Sequence, residues 1–274
     1  MDIHNVQYHI KVLGEGQPVV LLHGFTGDFS TWTFLADFLK DHYKVILVDI
    51  LGHGKTDCPN NPSRYDIELI ADDLKEILDK LAIKSASILG YSMGGRLALT
   101  FAQKYPDRTR RLILESASPG LEHEKDRAAR RKQDKILAER IIKEGIEAFV
   151  DYWSNIPLFD TQKSLDSSLQ KSIRLQRLSN DPVGLANSLL GMGTGSQPSW
   201  WDSLKDLPMP ILLMTGALDY KFCKIAEEMK NKMPHAKWVT IPNVGHAIHV
   251  ESPRKFGTIV REFLTEADKL GCFS

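Results

Sequence analysis

An open α/β sheet, mostly parallel and flanked by helices, with a helical lid inserted late in the chain, is the fold class that the 274 residues predict. Three observations predict it. Continuous apolar runs alternate with stretches at helical spacing, the alternation stops after residue 118, and it resumes near residue 211 in the same style. Parallel strands buried on both faces read as unbroken apolar runs. Their alternation with helices implies right-handed crossovers.

The elements follow in order. Residues 8–13 alternate like a half-exposed first strand. Residues 18–22 (PVVLL), 44–49 (KVILVD) and 85–89 (SASIL) are continuous runs, and 112–114 (LIL) ends another before Glu115. Between them, residues 66–81 place Ile67, Ile70, Leu74, Ile77, Leu78 and Leu81 on one helical face, and residues 96–103 turn Leu97, Ala98 and Phe101 toward the sheet. Late in the chain come a strand at 211–214, a helix at 224–232, a strand at 238–241 and a closing helix at 254–270. Residues 119–199 lack a buried strand but carry helical patterns over 123–143, 145–153 and 161–178. Pro119-Gly120 opens this stretch and the turn residues of 191–198 (GMGTGSQP) close it. The predicted organisation is a core of residues 1–118 and 200–274 with a lid of 119–199.

Composition excludes several function classes. Lys+Arg and Asp+Glu are both 35, so the formal net charge is zero, without the basic excess of a nucleic-acid binder. No run approaches the length of a membrane span, and the N-terminus lacks the pattern of a signal peptide. Cys58, Cys223 and Cys272 are few, odd in number and widely spaced, as expected of free thiols in a reducing compartment such as the cytoplasm. No Cys/His cluster has metal-ligand spacing, and no glycine-rich phosphate loop is present, so neither metal nor organic cofactor is expected. A monomer or homodimer is expected.

The chemistry concentrates in a few loops. Residues 90–95 read Gly-Tyr-Ser-Met-Gly-Gly, a G-x-S-x-G nucleophile elbow that would hold Ser92 on a tight strand-to-helix turn with its hydroxyl exposed in a cleft. A serine hydroxyl needs a histidine to take its proton and a carboxylate to orient that histidine. Asp219, just past the strand ILLM, and His246, just past WVTI, follow in the order this fold uses. All three side chains then emerge at the carboxyl edge of a parallel sheet. Glu115, ending LILE, is the competing acid. His23-Gly24-Phe25 follows PVVLL and would supply one oxyanion N–H from Phe25, with the second from Met93. His23 itself would brace the turn, and the glycines of residues 49–54 (DILGHG) read as turn geometry.

Together HGF, DILGHG, GYSMGG, GALD and GHAIHVESP resemble the α/β-hydrolase superfamily over nearly the whole chain. Finer features are similar to one family within it, the 2-succinyl-6-hydroxy-2,4-cyclohexadiene-1-carboxylate synthases of menaquinone biosynthesis. These features are Arg96 four residues after Ser92, Ala-Ala-Arg ending at Arg130, Trp153 before Ile-Pro-Leu-Phe, Arg177 before Leu-Ser-Asn, and Gly-Ala-Leu-Asp-Tyr-Lys-Phe at the acid loop. That loop departs from the Gly-Glu-x-Asp often found in the family but keeps the acid. The resemblance implies a lyase that eliminates pyruvate from a polyanionic succinyl-enolpyruvyl-cyclohexene carboxylate. It implies that Ser92 acts as base on a ring proton α to a carboxylate, without an acyl-enzyme. Arg96, Arg130 and Arg177 would clamp carboxylates, as guanidinium forks do, with Trp153 and Tyr91 lining the pocket. Arg130 shares a helical face with Leu137 and Ile141, and Arg177 shares one with Ile173. The same triad also suits a carboxylic-ester or C–C bond hydrolase working through an acyl-enzyme. A non-enzymatic receptor on this scaffold is a third reading, against which the intact Ser92, Asp219 and His246 set argues.

Overall fold

The computed structural model describes residues 1–270. A short hairpin of β1 (Asp2–Ile3) and β2 (Val6–Gln7) precedes seven sheet strands: β3 (Ile10–Leu13), β4 (Gln17–Leu22), β5 (Tyr43–Val48), β6 (Ala86–Tyr91), β7 (Thr109–Glu115), β8 (Ile211–Gly216) and β9 (Lys237–Ile241). Their spatial order is β3-β5-β4-β6-β7-β8-β9. Among the described strands of this sheet, only β3 runs antiparallel to its neighbour. The strand predicted over 8–13 starts only at Ile10, because the Tyr8 N–H donates to Met1 O at 2.8 Å and the His9 N–H to Thr56 Oγ1 at 2.9 Å rather than to β5.

The α-helices are α1 (Thr33–Leu39), α2 (Ile67–Lys80), α3 (Met93–Lys104), α4 (Glu124–Trp153), α5 (Ser167–Leu178), α6 (Pro182–Met192), α7 (Tyr220–Lys232), the one-turn α8 (Ile248–Glu251) and α9 (Pro253–Leu270). Strand alternation divides the core into two layers. Val20, Leu22, Ile46, Val48 and Ile88 face α2, α3 and α7. Val19, Leu21, Val45, Leu47 and Leu89 face α1 and α9. Each apolar run therefore supplies both layers, which is why it is unbroken in sequence.

Between β7 and β8 the chain leaves the sheet and forms α4, α5 and α6. Ala138, Ile141, Phe149 and Val150 of α4 pack on Leu185, Ala186 and Leu189 of α6 as a separate small core. The helices predicted over 123–143 and 145–153 are both present: the span of α4 is divided at Gly145, whose φ of 82° and ψ of 172° are not helical. The helix predicted over 161–178 is a correction. Residues Pro157–Ser164 form a 3-10 helix, and α5 starts afresh where Asp166 accepts the Ser168 N–H. A second correction concerns 191–198, since Gly191 and Met192 belong to α6. Helix α6 is buried nearly all round, so no apolar stripe marks it in sequence, and α1 spans too few residues to show one. Cys58 and Cys223 are free thiols, and Cys272 lies outside the described residues. No helix among the described residues is long and apolar enough to cross a membrane.

Candidate active site

The strand order reverses between β4 and β6, which pair in parallel with Leu22 opposite Gly90. Open α/β sheets place ligands at such a switch point, outside the carboxyl ends of the strands. Phe25 follows β4 there, Ser92 follows β6, Asp219 follows β8 and His246 follows β9.

Ser92 sits at φ 50° and ψ −104°, a strained conformation for a non-glycine residue. Its N–H donates to Glu115 O at 2.9 Å, which ties the elbow to the end of β7. The glycines make the turn possible. A Cβ at Gly94 would lie 2.3 Å from Leu22 O and 2.4 Å from His23 O, and one at Gly90 would lie 2.2 Å from Gly94 O. Met93 opens α3, so its N–H is one of the helix donors that lack an intrahelical partner.

The Ser92 hydroxyl donates to His246 Nε2 at 3.0 Å, and His246 Nδ1 donates to Asp219 Oδ2 at 2.6 Å. The carboxylate acceptor puts the imidazole proton on Nδ1 and leaves the Nε2 lone pair for the serine. Asp219 Oδ1 accepts the Phe222 N–H at 3.3 Å, which fixes the carboxylate at the start of α7. His246 and Asp219 are both buried. Glu115, the competing acid, is engaged elsewhere: it accepts from His249 N at 3.0 Å and from His249 Nδ1 at 2.9 Å. His23 braces its turn, donating from Nδ1 to Gly24 O at 2.8 Å and accepting the Ile50 N–H at Nε2 at 3.0 Å. Asp49 gathers the next loop, accepting from Phe29 N at 2.6 Å, Lys55 N at 2.9 Å and His9 Nδ1 at 2.8 Å. The glycines of residues 49–54 thus serve a turn, as the sequence predicts.

Ser92 opens into a cavity of about 390 Å³ that Phe25, Tyr91, Met93, Arg96, Arg130, Trp153 and His246 also line. The Tyr91 ring lies 5.3 Å from the His246 ring and 4.6 Å from that of His249. Burial, and next the Glu115 charge, hold the Tyr91 hydroxyl well above its ordinary pKa, so it stays neutral. Trp153 stacks on Phe149 and meets Phe25 edge-on, and its buried Nε1 has no hydrogen-bond partner among the described residues. Arg96 donates to Met192 O at 2.5 Å and Gln197 Oε1 at 2.6 Å. Burial, and then the like charge of Arg130, push its pKa down to about 10.

Arg177 departs from expectation. It does not line the Ser92 cavity but an adjoining one of about 290 Å³, with Tyr91 and Phe159 on the shared wall. Its guanidinium lies over the Phe159 ring at 4.6 Å and donates to Ser154 Oγ at 2.8 Å and Gln162 Oε1 at 3.1 Å. The break that starts α5 at Asp166 also leaves residues 157–164 as a separate 3-10 segment, and Phe159 on it stands between Arg177 and the serine. The sequence reading missed Phe159, Ser188, Lys221 and Trp201, which line the Ser92 cavity. It also missed Asp134, bound to Arg130 at 2.7 Å. The spacing of Asp134, four residues after Arg130, was the available signal.

A family model described as the alpha/beta hydrolase fold matches residues 17–253. A Bacillus subtilis (strain 168) protein provisionally named 2-succinyl-6-hydroxy-2,4-cyclohexadiene-1-carboxylate synthase is 49% identical over 249 residues, covering 91% of this chain and 90% of that one. The chain belongs to the α/β-hydrolase fold family and, within it, to this synthase family. The solved structure of MenH from S. aureus superposes with a TM-score of 0.90 at 39% identity, covering 94% of this chain and 98% of that one. A thermophilic esterase from Thermogutta terrifontis, solved with malate bound, superposes with a TM-score of 0.85 at 29% identity, covering 95% and 94% of the two chains. The synthase family thus shares its scaffold with ester hydrolases.

Proposed function

We propose that this chain is the pyruvate-eliminating synthase of menaquinone biosynthesis, working in the cytoplasm on a small polyanionic carboxylate with Ser92, His246 and Asp219 as its proton-transfer set. The observation that carries the reading is the joining of an aligned Ser92–His246–Asp219 chain to a cavity lined by Arg96 and Arg130. Ester hydrolysis needs the first; only a substrate with carboxylates needs the second.

Ser92, its proton drawn toward His246, removes a ring proton. In the product the new double bond reaches the succinyl-bearing carbon, so the proton leaves from the carbon beside the succinyl ketone rather than from one beside the ring carboxylate. The electron pair forms that double bond, the ring alkene shifts by one position, and the C–O bond to the enolpyruvyl group breaks. The departing oxygen takes the pair, and protonation of the resulting enolate yields pyruvate. During proton removal, negative charge grows on the ketone oxygen, where the N–H groups of Phe25 and Met93 stabilise it. Arg96 and Arg130 hold carboxylates, and the unpartnered Trp153 Nε1 offers a donor to a substrate oxygen. Helices α4–α6 act as the cover, residues 119–199, that excludes water. In this reading Arg177 reaches substrate only if the segment carrying Phe159 shifts.

The test supplies purified protein with the upstream pathway product and follows pyruvate release and diene absorbance together. The expected result is equal amounts of both, lost in Ser92→Ala. Hydrolysis of p-nitrophenyl esters with an acyl-enzyme burst, and no diene, would replace this reading with the hydrolase. The latter is the second reading that the esterase-like triad favours. Ligand binding without any turnover would favour a receptor.

A further inference from the structure

Arg130 and Arg96 bring two positive charges to one wall of the Ser92 cavity, and like charges this close repel. Asp134, one turn after Arg130 on α4, is 3% exposed. Its Oδ1 accepts the Arg130 Nε–H at 2.7 Å. Its Oδ2 is buried without a hydrogen-bond partner, under the backbone of Gly193, where a Cβ would lie 2.5 Å from that oxygen. The Arg130 fork is thus held by its Nε edge, and its Nη groups have no protein partner among the described residues. Among the described residues, the acceptors that Arg96 meets are the neutral Met192 O and Gln197 Oε1.

Stability does not account for Asp134. Burial outweighs the attraction of Arg130 and Arg96 and raises its pKa. For an acid, that sign means the folded chain binds the proton more tightly than the unfolded one. Its contribution to stability therefore falls as pH rises above the ordinary carboxylate value, and it is unfavourable at neutral pH. An ionised carboxylate with one oxygen unbonded costs the fold free energy.

We infer that Asp134 is a positioning residue of the carboxylate-binding wall: it grips Arg130 by Nε so that the Nη edge is presented beside Arg96, and it supplies the negative charge that lets two guanidiniums share that wall. The ligand class is a di- or tricarboxylate. The inference deepens the proposed function and rests on its reading of the cavity.

The test uses the intact chain. Wild type, Asp134→Asn, Arg130→Met and the double variant are titrated with succinate and with tricarballylate by calorimetry, and KM and kcat are measured on the pathway substrate. For Asp134→Asn the expected result is carboxylate affinity and KM about tenfold weaker, as for a lost charge-assisted hydrogen bond. Its kcat at saturation should stay within about twofold of wild type, because the hydrogen-bonded chain from Ser92 to Asp219 is untouched. Adding Asp134→Asn to Arg130→Met should change affinity little, because the carboxylate acts through Arg130. Unchanged or tighter carboxylate binding in Asp134→Asn overturns the inference, as does an equal loss in the Arg130→Met background. If Asp134→Asn does not fold, Arg130→Lys decides: it keeps the charge but cannot make the Nε contact, so the same loss is expected and wild-type affinity overturns the inference. Absence of pyruvate release by wild type defeats the proposed function alone, since the titrations still judge Asp134. A wild type that binds no carboxylate defeats both.

Discussion

Gly94→Ala is a single methyl added at the point where α3 packs back on the sheet. The new Cβ would lie 2.3 Å from Leu22 O and 2.4 Å from His23 O, against an ordinary contact of 3.4 Å or more. Both obstacles are backbone at the end of β4, so no side chain can rotate away. Helix and strand must part by about 1 Å. That displacement has two effects. Overpacking of a close-packed site costs about 1–3 kcal/mol, which for a chain of this size lowers Tm by about 2–5 °C. It also moves Ser92, at the head of α3, against His246 on a different loop, stretching a 3.0 Å hydrogen bond beyond useful range. The turn that carries Phe25 moves away from Met93 at the same time, which would widen the oxyanion pocket proposed for their N–H groups. Misplacement of about 1 Å costs about a hundredfold in rate, so kcat/KM for diene formation should fall by about that factor while the protein remains folded. The assay pairs a thermal melt with diene kinetics. Wild-type Tm together with wild-type kcat/KM would refute the claim that glycine is required here by close approach.

Further outcomes are expected elsewhere. Asp219→Asn presents an amide N–H to His246 Nδ1 and favours the tautomer that cannot accept from Ser92, so kcat should fall by about 10³–10⁴ with KM little changed; a loss below tenfold would remove Asp219 from the proton-transfer set. His53 is buried beside His23, and burial above all pushes its pKa down to about 3. The unfolded chain takes up the proton first, so the stability this neutral ring contributes is full above pH 6.5 and is lost as pH falls toward 3. His53→Gln should flatten that acid slope in urea melts, and parallel curves for the two proteins would contradict the assignment. Asp134→Asn should gain stability over wild type at pH 7 relative to pH 4, because the raised carboxyl pKa costs wild type most once ionised; a gain larger at pH 4 would reverse the sign argued for Asp134.

Much of the fold was legible because its signals are local. An apolar run such as 18–22 can be stable only where both faces are covered, and a glycine pair around Ser92 is needed only where the chain reverses sharply. The positions of Ser92, Asp219 and His246 after their strands follow from that alternation, and the structure brings them within hydrogen-bond distance. The helical excursion was less legible. Helix α6 is buried nearly all round, polar Asn187 and Ser188 included, and the junction at Asp166 divides what periodicity joins.

By itself the sequence determined the layered sheet, the residue types on its carboxyl edge and the chain order of the acid and histidine, since these depend on periodicity and turn chemistry that neighbouring residues carry. Only the tertiary structure decided which charges meet. Arg177 turned away behind Phe159, Glu115 paired with His249 rather than His246, and Asp134 took hold of Arg130. The reason is physical: the direction of a long side chain is set by what packs around it, and those partners come from elements far apart in the chain.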